Sequence, residues 1–193
     1  VPKTVDEAGH ILKYLLSEEV RKLSRADATI CSVNSGGLDS SLITALLHQN
    51  QENDYHSFHV TTEGNWPFDE RHYARELAEY YHITHHEVLI HPEDIHLQIP
   101  KMVLNLGLPN AAPHAFSTLK LFKYISSLRI RVALTGEGSD ELFCGHDRMI
   151  KAFHNSDDNW ADTYINQMSP CPTHDRHNIF LPEYKEYLSS EKS

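Results

Sequence analysis

The amino-acid sequence predicts an α/β fold, a parallel twisted sheet with helices on both faces. Two observations predict it. Short β-type runs, Ala28–Val33, His56–Thr62, His85–Ile90 and Ile130–Thr135, alternate with amphipathic helical stretches. Two glycine-bearing segments each follow such a run and open a helix. In parallel α/β sheets, ligands bind at the carboxyl ends of strands, where the strand order reverses.

The elements follow in order. Residues 4–24 read as a helix: Thr4 and Glu7 have capping-box spacing, and Val5, Ala8, Ile11, Leu12, Leu15 and Leu16 form one apolar stripe. Helices are expected over 39–51, 68–82 and 93–128, the last broken near Pro109 and Pro113. Pro100 is expected to perturb its start, because proline lacks the N–H a helix interior needs. Beyond residue 155 the pattern weakens, so a domain over 1–155 and an extension over 156–193 are expected.

Composition excludes several classes. Seventeen Lys and Arg against 27 Asp and Glu give a formal charge of −10. No basic face is available to neutralise a nucleic acid, and anionic membranes would repel the chain. The 15 histidines make that charge shrink as pH falls through about 6.5. Cys31, Cys144 and Cys171 are far apart, with no paired spacing, so neither a disulfide framework nor a thiolate zinc site is indicated. No apolar run approaches the ~18 residues of a membrane span, and no signal-peptide pattern is visible. A reducing, cytoplasmic setting is expected. The chain opens at Val1 rather than Met, as expected of an excerpt or processed piece of something longer.

Five of the eight glycines fall in two segments. The first, Asn34-Ser35-Gly36-Gly37-Leu38-Asp39-Ser40-Ser41, has the makings of a phosphate cradle. Adjacent glycines let backbone N–H groups approach an anion, and the helix that follows adds free donors and a favourable dipole. Ser35, Ser40 and Ser41 add hydroxyls. Asp39 would repel a bare phosphate, so it makes sense with Mg²⁺ between them, a cation that takes carboxylate and phosphate oxygens together. The bland reading is a Gly-Gly turn with Asp39 as a helix cap. The segment lacks the Gly-Lys-Ser/Thr ending of a Walker A loop. The second segment, Thr135-Gly136-Glu137-Gly138-Ser139-Asp140-Glu141-Leu142-Phe143-Cys144-Gly145, brings three acids together. Asp140 is a candidate second carboxylate for the same Mg²⁺. Glu137 is a candidate to orient or deprotonate a nucleophile. Glu141 reads as a simple complement to the helix dipole.

On these residues the chain resembles the synthetase domain of the asparagine synthetase family, within the PP-loop ATP pyrophosphatases. Three places carry the resemblance: Ser35–Ser41 (SGGLDSS); Phe58–Val60 with Phe68-Asp69-Glu70 and His85-His86-Glu87; and Leu134–Gly145 (LTGEGSDELFCG). It spans roughly residues 10–150, so the 1–155 region would be the ATP-binding synthetase domain. The resemblance implies an ATP-dependent amide-forming ligase. A substrate carboxylate would attack the α-phosphate of ATP, giving an acyl-adenylate and pyrophosphate, and an amine would then displace AMP. Ser35, Gly36, Gly37, Leu38, Asp39, Ser40 and Ser41 would hold the pyrophosphate. Asp39 and Asp140 would hold Mg²⁺. Asn34 and Val60 would flank the nucleotide, and Thr135 and Gly136 would contact it through the backbone. Glu137 matches the acid that serves amide formation, where β-lactam synthetases place a Tyr. The implied partners are a small-molecule carboxylate, an amine donor and a glutaminase domain or subunit.

The sequence also departs from the family. Leu106–Pro113 (LGLPNAAP) lacks the acids the family often carries there, which bears on the carboxylate substrate. Cys144 and His146 replace the usual Gly and aromatic residue. Nothing after residue 155 matches the family's catalytic-Lys segment, and neither Lys185 nor Lys192 is a candidate for it. Two alternatives therefore stand beside the ligase: a macrolactam or β-lactam-type cyclase, and a non-catalytic nucleotide-binding module.

Other clusters are weaker candidates. His82, His85, His86, His91 and Glu87 do not suit one metal ion, because adjacent strand residues point to opposite faces. Cys31 reads as a buried apolar residue. Trp66, Phe68 and Tyr73 are expected to pack rather than to cover a base.

Overall fold

The computed structural model describes residues 2–50, 55–64, 66–107, 114–154 and 160–169. In chain order the elements are α1 (Val5–Leu23), β1 (Ile30–Val33), α2 (Leu38–Gln49), β2 (His56–Thr62), α3 (Arg71–Tyr80), β3 (Thr84–Ile90), α4 (Pro92–Leu106), α5 (His114–Ser127), β4 (Val132–Leu134), α6 (Ser139–Phe143), α7 (Asp147–His154) and α8 (Trp160–Met168). The chain divides into two compact units, Val1–Glu137 and Gly138–Ser193. The boundary expected at residue 155 lies outside the described residues, as do Pro109, Pro113 and the Lys185 and Lys192 region.

The first unit holds one four-stranded parallel sheet in the order β3-β2-β1-β4. Strands β1, β2 and β3 step one way across it. The connection through α4 and α5 then crosses back, so β4 pairs with the far side of β1. The strand order therefore reverses between β1 and β4, the kind of switch point at whose strand carboxyl ends α/β sheets bind ligands. Alternation along the strands supplies both faces. Ile30 joins Val20, Leu46, Leu47, Tyr55, Ala78 and Ile83 in a core among α1, α2 and α3. On the other face Cys31, Phe58, Val88 and Ile130 pack with Leu121 and Ile125 of α5. Helices thus cover both faces, as the sequence predicts.

Local chemistry explains the ends. The Thr4 hydroxyl accepts from the Glu7 N–H at 3.1 Å, while Glu7 accepts from the Lys3 N–H at 2.8 Å, so α1 starts where its capping residues stand. Pro100 does not end a helix: α4 runs through it to Leu106, a correction to the expected disturbance. Gly107, at φ 75°, supplies the left-handed C-cap. Among the described residues no helix is long and apolar enough to cross a membrane.

The second unit contains α6, α7 and α8. Met149 and Ala152 of α7 are buried there.

Candidate functional site

The first glycine segment leaves β1 at Asn34, which is completely buried. Its backbone is tied to β2: its N–H donates to the Phe58 carbonyl at 2.8 Å, and its carbonyl lies 2.9 Å from His59 Nδ1. A carbonyl only accepts, so Nδ1 carries the proton of that imidazole. The Asn34 side chain serves the loop. Its Oδ1 accepts from the Gly36 N–H at 3.0 Å and from the hydroxyls of Ser40 and Ser41, both at 3.3 Å. Its Nδ2 is buried without a partner.

The loop is stitched further by serine hydroxyls. The Ser35 N–H donates to Ser40 Oγ at 3.1 Å, the two hydroxyls lie 2.9 Å apart, and the Gly37 N–H donates to Ser35 Oγ at 3.3 Å. Helix α2 then begins with Gly37 as N-cap and with no side-chain cap. The first-turn N–H groups of a helix have no intrahelical acceptor, so this start offers donors and a positive dipole end. Asp39 stands in that turn, half-buried. The Ser40 side chain is turned inward and buried.

Two backbone approaches show why glycine is needed. Gly36 has φ 92°, and a Cβ there would stand 2.1 Å from the Glu70 carbonyl oxygen. A Cβ on Gly136, in the loop leaving β4, would stand 2.7 Å from the Ser40 nitrogen. The β2–α3 and β4 loops therefore close on the first loop from two sides. Thr135 and Gly136 are brought to the start of α2, and Glu137 follows them, exposed.

Beside this loop lies a cleft of about 310 Å³, lined by Ser35, His59, Val60, Trp66, Phe68 and Asp69 among others. Val60 is among the residues that line it. Trp66 and Phe68 are not packed: Phe68 is 99% exposed and Trp66 55%. Phe68 sits at φ 67° in the β2–α3 loop, which turns its side chain outward, and Tyr73 is also exposed. The packing expectation for these three is corrected. The Arg71 backbone N–H donates to the Asp69 carboxylate at 3.1 Å, and the guanidinium lies close by. Together they hold that acid below the usual carboxylate range.

Nothing in the local sequence pattern places His59, Asp69 or Glu70 at this loop. Their roles come from chain segments far apart in sequence. The usable signal was a polar His59 between apolar Phe58 and Val60 on a central strand.

The second unit carries Asp140. There His146 Nε2 lies 3.0 Å from Glu141 Oε1 and its Nδ1 lies 3.9 Å from Asp140 Oδ2. The imidazole contact holds the Glu141 carboxyl below its ordinary value. Gly145 packs against Asp140: a Cβ there would stand 1.9 Å from its Oδ1. The Leu106–Pro113 stretch lies outside the described residues from 108 onward.

The histidines divide by face. His85 Nδ1 meets Ser57 Oγ at 2.7 Å on one face, while His86 Nε2 meets His56 Nδ1 at 2.9 Å on the other. Glu87 pairs with Arg75, and His91 with Glu63 at 2.9 Å. The five residues His82, His85, His86, His91 and Glu87 do not assemble around one ion. Cys31 is buried, and burial pushes its thiol up to about 12, so it is no nucleophile. Cys144 is exposed.

The family model described as asparagine synthase matches residues 12–190. The chain is 28% identical over 149 residues to an asparagine synthetase [glutamine-hydrolyzing] 2 of Bacillus subtilis, covering 74% of this chain and 20% of that protein. It is 29% identical over 153 residues to the asparagine synthetase [glutamine-hydrolyzing] of Asparagus officinalis, covering 74% and 25%. It thus spans about a fifth to a quarter of the length of these curated relatives. An NH3-dependent NAD synthetase structure from Campylobacter jejuni superposes with a TM-score of 0.49 at 18% identity, covering 71% of this chain and 60% of that one. By the family match over most of its length, this chain belongs to the asparagine synthase family.

Proposed function

We propose that the chain carries the ATP-binding part of an amide-forming ligase. The observation that carries this reading is the uncapped start of α2 at the switch between β1 and β4, framed by glycines whose Cβ atoms would collide with neighbouring backbone. The cradle suits a polyphosphate: a helix N-terminus, several serine hydroxyls and no bulk at Gly36, Gly37 and Gly136. The backbone N–H groups suit the phosphates, and the oxygens beside them, the Asp39 carboxylate and the serine hydroxyls, suit a hard cation such as Mg²⁺.

In this proposal Ser35–Ser41 bind the pyrophosphate portion of ATP through helix-start N–H groups and hydroxyls. Asp39 supplies a carboxylate for Mg²⁺. Asp140 is proposed as a second on the strength of its motif. Bound Mg²⁺ would offset the negative charge that develops on the departing pyrophosphate. Val60 flanks the nucleotide in the cleft, while Thr135 and Gly136 meet it through backbone. Helix-start donors aimed at developing charge need no rearrangement during reaction.

The carboxylate substrate attacks the α-phosphate, forming an acyl-adenylate and releasing pyrophosphate. Glu137, exposed at the end of the β4 loop, then serves the attacking amine as proton acceptor, and AMP leaves. Free carboxylates are poor acyl donors, which is why adenylation comes first. The relatives' names, which include glutamine hydrolysis, support ammonia released from glutamine by a glutaminase domain or subunit as the amine.

The test is isotope exchange between pyrophosphate and ATP, run with the full-length protein, Mg²⁺ and a panel of carboxylates that includes aspartate. Exchange dependent on one carboxylate, lost by at least about 100-fold in Asp39→Ala and Asp140→Ala, is expected. No ATP binding, or variants with unaltered exchange, would defeat the proposal.

A further inference from the structure

Asn34 is an unusual residue for its position. It ends a central strand, it is completely buried, and its amide nitrogen has no partner. An unsatisfied buried donor is destabilising, and a leucine would occupy similar volume without one. What a leucine lacks is the oxygen. Asn34 Oδ1 accepts from Gly36 N–H, Ser40 Oγ and Ser41 Oγ, so one atom gathers the glycine turn and the first turn of α2. The residue's own backbone is clamped to β2 through Phe58 and His59. The strand side is therefore rigid, and the loop side hangs from Oδ1.

We infer that Asn34 is a positioning residue for the phosphate cradle: its side chain does not touch the nucleotide, but fixes the loop whose donors do. This inference rests on the proposed ATP site and deepens it. Burial keeps the side chain from the ligand, and its oxygen is already committed to three donors. The amide is also neutral, so it organises donors without placing negative charge under an anion, as an aspartate would. Removing the oxygen frees the Gly36 N–H and the Ser41 hydroxyl and leaves the Ser40 hydroxyl only the Gly37 carbonyl and Ser35, so the loop loses its shape where the phosphates would sit. A ligand without phosphates does not read that change.

The experiment compares MgATP and adenosine binding by calorimetry on the full-length wild type, Asn34→Leu and Asn34→Ser. Serine serves as a second, smaller variant, so that a folding defect in one does not decide the matter. Both variants are expected to weaken MgATP by about tenfold or more while adenosine changes by about twofold or less. Rising KM for ATP with a largely unchanged kcat in pyrophosphate exchange is the matching kinetic signature. Equal losses for MgATP and adenosine would show a general structural role and overturn the inference, as would unaltered MgATP affinity. A wild-type protein that binds neither ligand overturns the ATP-site reading itself, and this inference with it.

Discussion

The two glycine segments use similar residues and differ in how they are held. In the first, Gly36 is confined by the Glu70 backbone, the start of α2 is met by Gly136 from the opening of the second, and a buried asparagine ties the turn to the helix it opens. In the second, Gly138 has φ 92° but nothing within 4 Å of where a Cβ would stand, and it opens a helix of only five residues. The first loop is shaped by packing from two sides, the Gly138 turn by local backbone conformation. The difference teaches that a glycine motif acquires rigidity from what presses on it, not from its glycines.

Gly36→Ala is the strongest way to break this contrast. It combines a left-handed φ with a collision against the Glu70 carbonyl, so a loss of about 3 kcal/mol in urea denaturation is expected, with MgATP binding abolished. Gly136→Ala meets the Ser40 nitrogen but has an ordinary φ. A loss of about 2 kcal/mol is expected, with weaker MgATP binding as the two loops separate. Gly138→Ala meets only the backbone penalty, about 1 kcal/mol. Should Gly138→Ala destabilise as much as Gly36→Ala in the same denaturation series, the contrast collapses.

The smallest effect concerns the sheet beneath the loops. Burial holds the imidazoles of His85 and His86 below their ordinary value, so they stay neutral in the folded state to lower pH than in the unfolded one. As pH falls below about 6.5, the unfolded chain binds protons first. The stability present above that pH is then lost progressively as pH drops towards the folded values. The urea midpoint should therefore decline from neutral to mildly acidic pH, and His86→Phe, which keeps a ring against Phe58, should flatten the decline. A midpoint that rises on acidification contradicts the assignment.

Much of the fold was legible because it is local. The β-type run His56–Thr62 matches the observed β2 from end to end, and the Thr4 cap starts α1 where the spacing puts it. Strand β1 begins at Ile30 rather than Ala28, and β4 narrows to Val132–Leu134, because strand ends depend on whether a neighbour is there to pair. Pro100 misled because a single missing N–H can be tolerated when the rest of the helix is packed, as Met102 shows by its burial. Trp66 and Phe68 misled because large aromatics usually pack, while these stand on a loop that turns away from the core.

By itself, then, the amino-acid sequence determined the alternation of strands and helices, the placing of both glycine segments at strand exits, and Asp39 in the first turn of a helix. These follow from side-chain period, turn residues and capping, which act over a few residues. Only the tertiary structure decided that the strand order reverses beside β1, that Glu70 closes on Gly36, and that Asn34 turns inward as the centre of a loop. Those are contacts between segments distant along the chain, and no local periodicity encodes which backbone will arrive at a glycine, or which polar group will be sealed from water when it does.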